Sequence, residues 1–335
     1  MEELISWFQK KYPFLVQQMK ACSHHYSMYD QNPYHLEDDV WSHTMMVCQQ
    51  AKDSPTVVQM AALLHDIGKP ATRAVNYEKK RVSFYGHEGM SAWMSLEVTR
   101  DYGMTKHDQA VVFGLIAMHT EMFKTKPEKM AIRLTGWKDA QINNYFNLVN
   151  CDSAGRFCKD VKTYTIDPNT IPAKPCIDLT ERTFLMLVGP PCSGKSTWAS
   201  KNANGAPIIS RDDIVDKYAE EHGLTYSQAF DATRDTADKD FDLNLRAAIK
   251  AKKDIIVDRT NMSGKSRNRL LNQLPKEYKK VALIFLTPFD TIYHRDLKRT
   301  NRELPKNIWQ TMVKRFSMPL YDTFDDLKFI FPKDY

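Results

Sequence analysis

The sequence predicts two domains, an all-α domain followed by an α/β domain with a parallel sheet. At 335 residues the chain suits two domains of ordinary size, each able to bury its own core. Apolar residues recur at helical spacing in the first half, whereas short apolar runs alternate with helical stretches in the second. We therefore divide the chain into a first domain over 1–160, a linker over 161–180 and a second domain over 181–335.

Helical periodicity dominates the first domain. Residues 57–64 form an apolar helical stretch that leads into His65, and 108–118 and 142–149 repeat the pattern. Strong alternation of β-branched residues is scarce, so we predict helices throughout this half. The first eight residues carry acids and resemble an amphipathic helix, not a signal peptide.

The second domain is predicted from four apolar runs that suit buried strands. Before them, the linker contains three prolines and lacks helical periodicity. Helical stretches separate the runs, which predicts a parallel sheet with phosphate sites at the carboxyl ends of its strands. The four predicted strands are 183–188, 206–210, 254–257 and 280–286.

A phosphate-binding loop follows the first of these strands. Residues 189–197 read GPPCSGKST and fit the pattern G-x-x-x-x-G-K-[ST], between an apolar run and a plausible helix. A simple turn from strand to helix is the alternative, which the strand, the spacing, Lys195 and Ser196 all disfavour. Lys195 would reach the β/γ-phosphates of ATP and Ser196 would ligate Mg²⁺. The predicted nucleotide-binding residues are Gly189, Ser193, Gly194, Lys195, Ser196 and Thr197.

Histidines concentrate in the first half, which indicates a metal site there. Eight of the ten lie between residues 24 and 119. The adjacent pair His65-Asp66 ends an apolar helix, because Gly68 and Pro70 follow, and imidazole with carboxylate suits a divalent metal. Further candidates at the edges of apolar stretches are His43, His87, His119 and Asp152. Each one alone is also compatible with a structural role.

The overall composition is that of a globular protein without a membrane-spanning segment. Hydrophobic residues make up 42% and charged residues 26%, and no apolar run approaches membrane-spanning length. The six cysteines form no CxxC pair, so we expect unpaired thiols in a reducing cytoplasm. A net charge of +6 is compatible with a polyanionic substrate.

The first half resembles an HD-superfamily phosphohydrolase. The segments LLHDIGKP (63–70), FYGHE (84–88) and YHLEDDVWSH (34–43) are similar to the HD domain of bacterial tRNA nucleotidyltransferases. The resemblance implies that His43, His65, Asp66 and Asp152 are the primary metal ligands. It further implies that His87 and His119 hold a second metal or a substrate phosphate, and that Lys69 neutralises phosphate charge. Such domains hydrolyse phosphomonoesters and 2′,3′-cyclic phosphates.

The second half resembles the polynucleotide kinase of T-even phages. The segment IISRDD (208–213) is similar to its Arg-Asp-Asp motif, which makes Asp212 the general base. From the residues alone, a helix N-cap is the alternative for Asp212 and the favoured reading of Asp213. Asp258 matches the Walker-B-like acid, and Arg299 matches a lid arginine that stabilises the γ-phosphate, with a solvated helix face as its alternative.

One position departs from that kinase pattern. The phage family has an arginine three residues after its base, whereas this chain has Val215. Contact with the acceptor phosphate must therefore come from elsewhere, or the acceptor differs. The candidate replacements are Arg211, Lys217, Arg234 and Arg267.

The order of the two halves resembles the bacterial HD-Pnk end-healing enzymes. This resemblance implies an ATP-dependent 5′-OH polynucleotide kinase with Mg²⁺ and a phosphohydrolase with Mn²⁺, Co²⁺ or Ni²⁺. RNA or DNA ends would be the substrate, and a separate ligase would seal them, without membrane involvement. Two alternatives remain: a small-molecule or nucleoside kinase fused to a nucleotide phosphohydrolase, and a regulatory P-loop domain that gates the HD domain.

Overall fold

A computed structural model describes residues 1–29, 32–158, 161–174, 182–299 and 308–332. The chain forms two compact units. The first comprises Met1–Ala173 together with Val313–Met318, and the second comprises Lys174–Met312 together with Pro319–Tyr335. Residues 175–180 of the predicted linker lie outside the described residues, and its limits remain a prediction.

The first unit is helical, which confirms the predicted class. Its helices are α1 (Glu2–Lys11), α2 (Pro13–Lys20), α3 (Val40–Gln50), α4 (Thr56–Leu64), α5 (Lys69–Thr72), α6 (His87–Asp101), α7 (Lys106–Met118), α8 (Glu121–Lys124), α9 (Pro127–Arg133) and α10 (Asp139–Ala154). One antiparallel hairpin, β1 (Ala74–Asn76) with β2 (Arg81–Ser83), was not predicted, because three residues per strand leave no readable alternation.

Helices α3, α4, α7 and α10 surround the core of this unit. The α4 stretch that the sequence marks as apolar is almost completely buried, from Val58 to Leu64. Trp93 on α6 packs edge-to-face against Phe113 on α7, with ring centroids 4.8 Å apart. Phe316 closes this aromatic cluster at 4.7 Å from the Trp93 ring, so the segment Val313–Met318 contributes to the core.

The second unit is a five-stranded parallel sheet with helices. Its strands are β3 (Thr183–Val188), β4 (Ile208–Ser210), β5 (Ile255–Asp258), β6 (Lys279–Phe285) and β7 (Asp326–Ile330). Its helices are α11 (Lys195–Asn202), α12 (Arg211–His222), α13 (Tyr226–Ala232), α14 (Ala237–Lys250), α15 (Gly264–Leu271) and α16 (Phe289–Leu297). A last helix, α17 (Ile308–Val313), ends at the first residue of the segment that belongs to the first unit. The parallel sheet is confirmed. The edge strand β7 was missed, since its burial is only partial and its sequence holds two charged residues.

The strand order is β4-β5-β3-β6-β7, and the chemical motifs lie at the carboxyl ends of three neighbouring strands. Ser210, the last residue of β4, pairs with Asp258, the last residue of β5. β5 in turn neighbours β3, from whose carboxyl end the phosphate-binding loop runs. The carboxyl ends of parallel strands share an edge, so the loop, Asp258 and the start of α12 come together.

No helix in the described ranges is both long and apolar enough to cross a membrane.

Candidate functional site

The first unit gathers the predicted metal ligands from the ends of three helices. His43 lies in the first turn of α3, which Asp39 caps by accepting a hydrogen bond from the Ser42 N–H at 2.9 Å. His65 and Asp66 directly follow α4, and Asp152 lies in the last turn of α10. All four side chains are buried. Their convergence explains why helix ends, not helix faces, carry the candidate residues.

Each of the two imidazole Nε2 atoms lies no more than 4.0 Å from an oxygen of each carboxylate. Asp66 Oδ2 lies 3.2 Å from His65 Nε2 and 3.6 Å from His43 Nε2. Asp152 Oδ1 lies 3.2 Å from His43 Nε2 and 4.0 Å from His65 Nε2. The two imidazole Nε2 atoms are 3.3 Å apart. Two imidazoles and two carboxylates facing one point form a donor set that suits a divalent metal.

Asp66 also belongs to a second group. Its other oxygen, Oδ1, lies 3.3 Å from His87 Nε2 and 3.8 Å from His119 Nε2. Those two Nε2 atoms are 3.2 Å apart. The Asp66 carboxylate therefore stands between two pairs of imidazoles, the arrangement expected of a carboxylate that bridges two metals.

Backbone carbonyls fix the orientation of all four imidazoles. Each Nδ1 lies at hydrogen-bond distance from a carbonyl oxygen and donates to it in the tautomer that these contacts require. Each Nε2 then presents a lone pair toward the cluster, as metal-binding histidines do. The pairs are His43 with Gly155 at 3.0 Å, His65 with Ala62 at 2.9 Å, His87 with Phe84 at 2.8 Å and His119 with Ile116 at 2.7 Å.

Gly155 is required for one of these contacts. A Cβ at this position would lie 2.7 Å from the Val47 nitrogen and 2.8 Å from its Cα, on the backbone of α3. Glycine thus lets the end of α10 approach α3 closely enough for the Gly155 carbonyl to meet His43.

The cluster leaves polar atoms without partners, which fits metal binding. Asp66 Oδ1 is buried and, among the described residues, receives no hydrogen bond. In the tautomers above, the facing Nε2 atoms of His87 and His119 are both acceptors, so their close approach is unfavourable unless a cation lies between them. The structure's own donor set therefore fits one or two divalent metals, of unspecified identity.

Electrostatics keeps most of these groups in the protonation state that metals need. Burial by itself would raise the pKa of the Asp66 carboxyl, but His65 and Lys69 hold it well below its usual range. Burial and the neighbouring His87 lower the pKa of His119 to about 3. His43 differs: burial would lower its pKa, but hydrogen bonds with Asp152 and Glu37 raise it.

Lys69 extends the cluster on one side. Its ammonium is buried, lies 2.6 Å from Asp66 Oδ2 and 3.0 Å from His24 Nε2, and faces the Phe84 ring at 5.4 Å. Burial and Lys69 together lower the pKa of His24 far below its usual range, so that imidazole is neutral and accepts from the ammonium. A cation held this close to Asp66 is placed to meet an anionic ligand of the cluster.

Sequence reasoning missed the residues that support the ligands. Glu37 Oε1 lies 3.2 Å from His43 Nδ1 and 2.6 Å from His35 Nδ1. Arg156 donates to Asp152 Oδ1 at 2.8 Å. The i,i+4 spacing of Asp152 and Arg156 was a usable signal for the latter. Nothing in the sequence connected Glu37 with His43, because the contact depends on how the segment before α3 folds back.

The second unit builds the predicted phosphate-binding loop between β3 and α11. Gly194 has φ +97° and precedes Lys195, the first residue of α11. A Cβ on Gly189 would lie 2.9 Å from the Ser193 Oγ and 3.1 Å from the Phe285 Cβ, so glycine lets these side chains pack closely against the loop. The Thr287 hydroxyl holds the loop by donating to the Ser193 carbonyl at 2.9 Å. Ser196 and Thr197 are exposed at the N-terminus of α11, where backbone N–H groups favour anions.

Lys195 curls over this loop. Its ammonium is buried and donates to the Pro190 carbonyl at 2.7 Å and to the Ser193 Oγ at 3.3 Å. Burial lowers its pKa to about 8, against the attraction of Asp258 and Asp212. Asp258 ends β5 and Asp212 follows β4, so both carboxylates stand at the same end of the sheet as the loop.

Asp212 is not the N-cap of α12. Ser210 caps the helix, since its Oγ accepts from the Asp213 N–H at 3.2 Å. The capping interpretation of Asp213 was therefore wrong, because the cap lies three residues earlier at the end of β4. Asp212 is exposed, and its Oδ1 accepts a hydrogen bond from the Tyr226 hydroxyl at 3.0 Å. That contact, not a cap, orients the carboxylate.

Two arginines, one in the last turn of α16 and one just after it, reach the phosphate-binding loop. Arg299 Nη1 lies 3.8 Å from the Cys192 Sγ, and Arg295 Nη1 donates to the Cys192 carbonyl at 3.3 Å. Cys192 has φ +62°, a left-handed conformation within the loop. Arg299 thus lies beside the loop and does not belong to a helix face remote from it.

The basic residues proposed to contact the acceptor phosphate lie in different environments. Val215 is fully buried and packs with Ala229 and Ala237, so this position cannot contact an acceptor. Arg267 is also unsuitable, because it is buried and donates to the Asn261 and Met262 carbonyls.

The remaining candidates differ in position. Lys217 and Arg234 are exposed and pair with Glu221 and Asp231. Arg211 precedes Asp212, and its guanidinium carbon stacks 4.6 Å from the Phe230 ring. Arg259, which sequence reasoning did not single out, follows Asp258 and lies 3.2 Å from the same Asp238 carboxylate that Arg211 contacts.

Both units match known protein families. Residues 39–149 match the HD domain family, and residues 184–319 match a family described as an AAA domain. Solved structures with similarity include the Pnkp1/Rnl/Hen1 RNA repair complex, at 22% identity and TM-score 0.33, covering 43% of this chain and 46% of that chain.

A gluconokinase from Sinorhizobium meliloti 1021 matches at 17% identity and TM-score 0.31, over 46% of this chain and 84% of that one. Shikimate kinase from Acinetobacter baumannii, in complex with shikimate, matches at 19% identity and TM-score 0.32, over 44% and 83%. At these identities and TM-scores the similarities give no information on substrate or partner.

The first unit is an HD domain with a metal-type donor cluster, and the second is a P-loop kinase-like domain that binds nucleotide. An HD domain followed by a P-loop kinase-like domain is the HD-Pnk architecture, which confirms the predicted resemblance.

Proposed function

We propose that this protein heals broken nucleic-acid ends. Its P-loop domain transfers the γ-phosphate of ATP to a 5′-hydroxyl, and its HD domain removes a 2′,3′-cyclic, 2′- or 3′-phosphate from RNA. A separate ligase would then seal the ends. The observation that carries the proposal is the exposed Asp212 carboxylate at the same sheet edge as Lys195 and Asp258. A domain that only senses nucleotide has no need of an acceptor base.

In the HD domain, His43, His65 and Asp66, together with Asp152 beside the two imidazoles, would hold one divalent metal, and Asp66, His87 and His119 a second. Such metals lower the pKa of bound water and neutralise phosphoryl oxygens. Asp66 orients the site by pairing with Lys69, whose ammonium supplies positive charge for the substrate phosphate. Glu37 and Arg156 hold His43 and Asp152 in place.

In the kinase domain, the loop and the N-terminus of α11 would bind the ATP phosphates, with Ser196 and Asp258 on the Mg²⁺ side. Asp212 accepts the proton of the attacking 5′-hydroxyl, and Tyr226 keeps its carboxylate directed. Lys195 and Arg299 offset the charge of the transferring phosphoryl group. Arg211, next to Asp212 in sequence, and Arg259, next to Asp258, contact the same Asp238 carboxylate and are our candidates for the acceptor phosphate.

The direct test is an acceptor panel with γ-labelled ATP. We expect label transfer to short 5′-OH RNA or DNA oligonucleotides and little to nucleosides, gluconate or shikimate. Transfer only to small molecules would support a small-molecule kinase fused to a nucleotide phosphohydrolase. Nucleotide binding without any transfer would instead support a regulatory P-loop domain.

Metal preference should differ between the two activities. The imidazole-rich HD site should work best with Mn²⁺, Co²⁺ or Ni²⁺, whereas the oxygen ligands of the kinase site should accept Mg²⁺. Assays of both activities across these metals measure the difference. Identical metal profiles would contradict the two ligand sets.

Arg299→Lys should slow 5′-phosphate transfer by at least about ten-fold, because lysine keeps the charge but loses the planar fork that spans phosphoryl oxygens. Turnover at saturating ATP and oligonucleotide measures the loss. The neighbouring exposed residue provides a matched control, and Lys298→Ala should behave like the parent. Parent-like turnover of Arg299→Lys would return this arginine to a solvent-exposed structural role.

A further inference from the structure

The β1–β2 hairpin is small and contributes little to the stability of the first unit. Each strand has three residues, and all six are exposed or only partly buried. A two-stranded hairpin of this size is marginally stable in water, and this one adds almost nothing to the core. Its composition is what stands out. The hairpin and its base carry Arg73, Lys79, Lys80 and Arg81, all exposed, against the single acid Glu78.

Both ends of the hairpin adjoin the metal cluster. β1 begins five residues after Lys69, and β2 ends four residues before His87. Phe84, the next residue after β2, lies 5.4 Å from the Lys69 ammonium, and its carbonyl lies 2.8 Å from His87 Nδ1. Three residues per strand rise about 10 Å, so the tip extends by that length from the residues that adjoin the cluster.

The tip of the hairpin has a defined conformation. The Lys79 N–H donates to the Asn76 side chain at 2.8 Å, and Lys80 has φ +46°. Tyr77 is 76% exposed, although its ring meets the Tyr26 ring edge-to-face at 6.3 Å. At the base, the Arg73 guanidinium donates to the Ser23 and His25 carbonyls, which joins the hairpin to the segment that holds His24.

The charged side chains of the tip are available to a ligand. Among the residues that the structure describes, no acid forms an ion pair with Lys79, Lys80 or Arg81. Tyr85, which is 77% exposed, lies between the end of β2 and His87. Lysines and exposed aromatic rings combined are the features by which proteins bind single-stranded nucleic acid, since cations follow the backbone and rings stack on bases.

We propose that the β1–β2 hairpin binds the nucleotides next to the terminal phosphate of single-stranded RNA, with Lys79 and Lys80 on the backbone and Tyr77 stacked on a base. This inference rests on the phosphohydrolase activity proposed above. It makes an oligonucleotide end, not a free nucleotide, the preferred substrate of the HD domain. A mononucleotide reaches the metal cluster without touching the hairpin.

The test compares two substrates of the full-length protein, 2′,3′-cyclic AMP and a 5′-phosphorylated hexaribonucleotide that ends in a 2′,3′-cyclic phosphate. For Lys79→Ala/Lys80→Ala and for Tyr77→Ala, we expect KM for the hexamer to rise roughly five- to ten-fold with kcat unchanged. We expect kcat/KM for the mononucleotide to stay at the parent value. Tyr77→Phe, which retains a stacking ring, should restore the parent KM.

Salt dependence provides a readout that a merely structural role would not change. Removing two backbone contacts should flatten the slope of log(kcat/KM) against log[salt] for the hexamer by about 1.4, at about 0.7 per contact. Lys52→Ala/Lys138→Ala is the matched control. Lys138 stands about 21 Å along α10 from Asp152, at 1.5 Å per residue, so this variant should keep the parent slope and KM.

Every outcome decides the proposal. An unchanged hexamer KM and salt slope in the hairpin variants would overturn it, and so would an equal loss on both substrates. An equal effect on a DNA hexamer with a 3′-phosphate would overturn the preference for RNA and show that the hairpin binds any single strand. If the parent hydrolyses neither substrate, the proposed HD activity fails, and photocrosslinking of a 5-iodouridine hexamer then judges the hairpin. Crosslinks within residues 73–85 would support it, and their absence would reject it.

Discussion

Asp66→Ala should reduce hydrolysis of a 2′,3′-cyclic phosphate RNA end to the rate without enzyme. The carboxylate faces His43 and His65 with one oxygen and His87 and His119 with the other, so its loss removes a ligand from both groups. It also leaves Lys69 without its buried counter-ion. Metal content, measured on the purified protein, should fall together with activity.

Kinase turnover serves as the internal control for this variant. It should stay within a few-fold of the parent, because the kinase residues lie in the other unit. Asp53→Ala, which replaces an exposed aspartate of the same unit, should retain both activities and the metal. Parent-like hydrolysis by Asp66→Ala would show that the cluster does not hold the catalytic metals.

Lys195→Ala should lower 5′-phosphate transfer by roughly 10²- to 10³-fold or more, since it removes a preorganised cation aimed at the reacting phosphates. The ammonium now bonded to Pro190 and Ser193 is the cation of the loop that ATP phosphates would recruit. Transfer of labelled phosphate to a 5′-OH oligonucleotide measures the loss. Hydrolysis by the HD domain should be unaffected.

Two further variants separate the roles within the kinase site. Asp212→Ala should also abolish transfer but leave ATP binding nearly normal, because it removes a base and no phosphate contact. Lys201→Ala, an exposed lysine in the last turn of the same helix as Lys195, is the matched control and should resemble the parent. Full transfer by Asp212→Ala would disprove the base assignment.

The sequence predicted well what depends on local pattern. The phosphate-binding loop is such a case, because glycine spacing after an apolar run is enough to specify the turn. The strands β3, β4, β5 and β6 followed from their apolar composition. The edge strand β7 did not, since an edge needs less apolar surface and Asp326 and Lys328 interrupt the run.

The site was predictable to the extent that its residues sit at helix ends. His65 and Asp66 were recognisable as a pair at a helix end because Gly68 and Pro70 follow them. The supporting contacts were not predictable, because Glu37 meets His43 only through the irregular segment before α3. Asp213 was misread for a similar reason: Ser210 is the residue at the strand-to-helix junction, and a sequence that offers several capping side chains does not say which one is used.

The segment Val313–Met318 affects how this protein is made. Phe316 fills the aromatic cluster of the first unit, against Trp93 and Phe113, although it is encoded after nearly all of the second unit. On the ribosome, the metal-binding unit therefore emerges early but cannot complete its core until residues 313–318 are synthesised. A gene fragment cut after the linker would encode the ligands of the cluster and omit the ring that packs against Trp93 and Phe113.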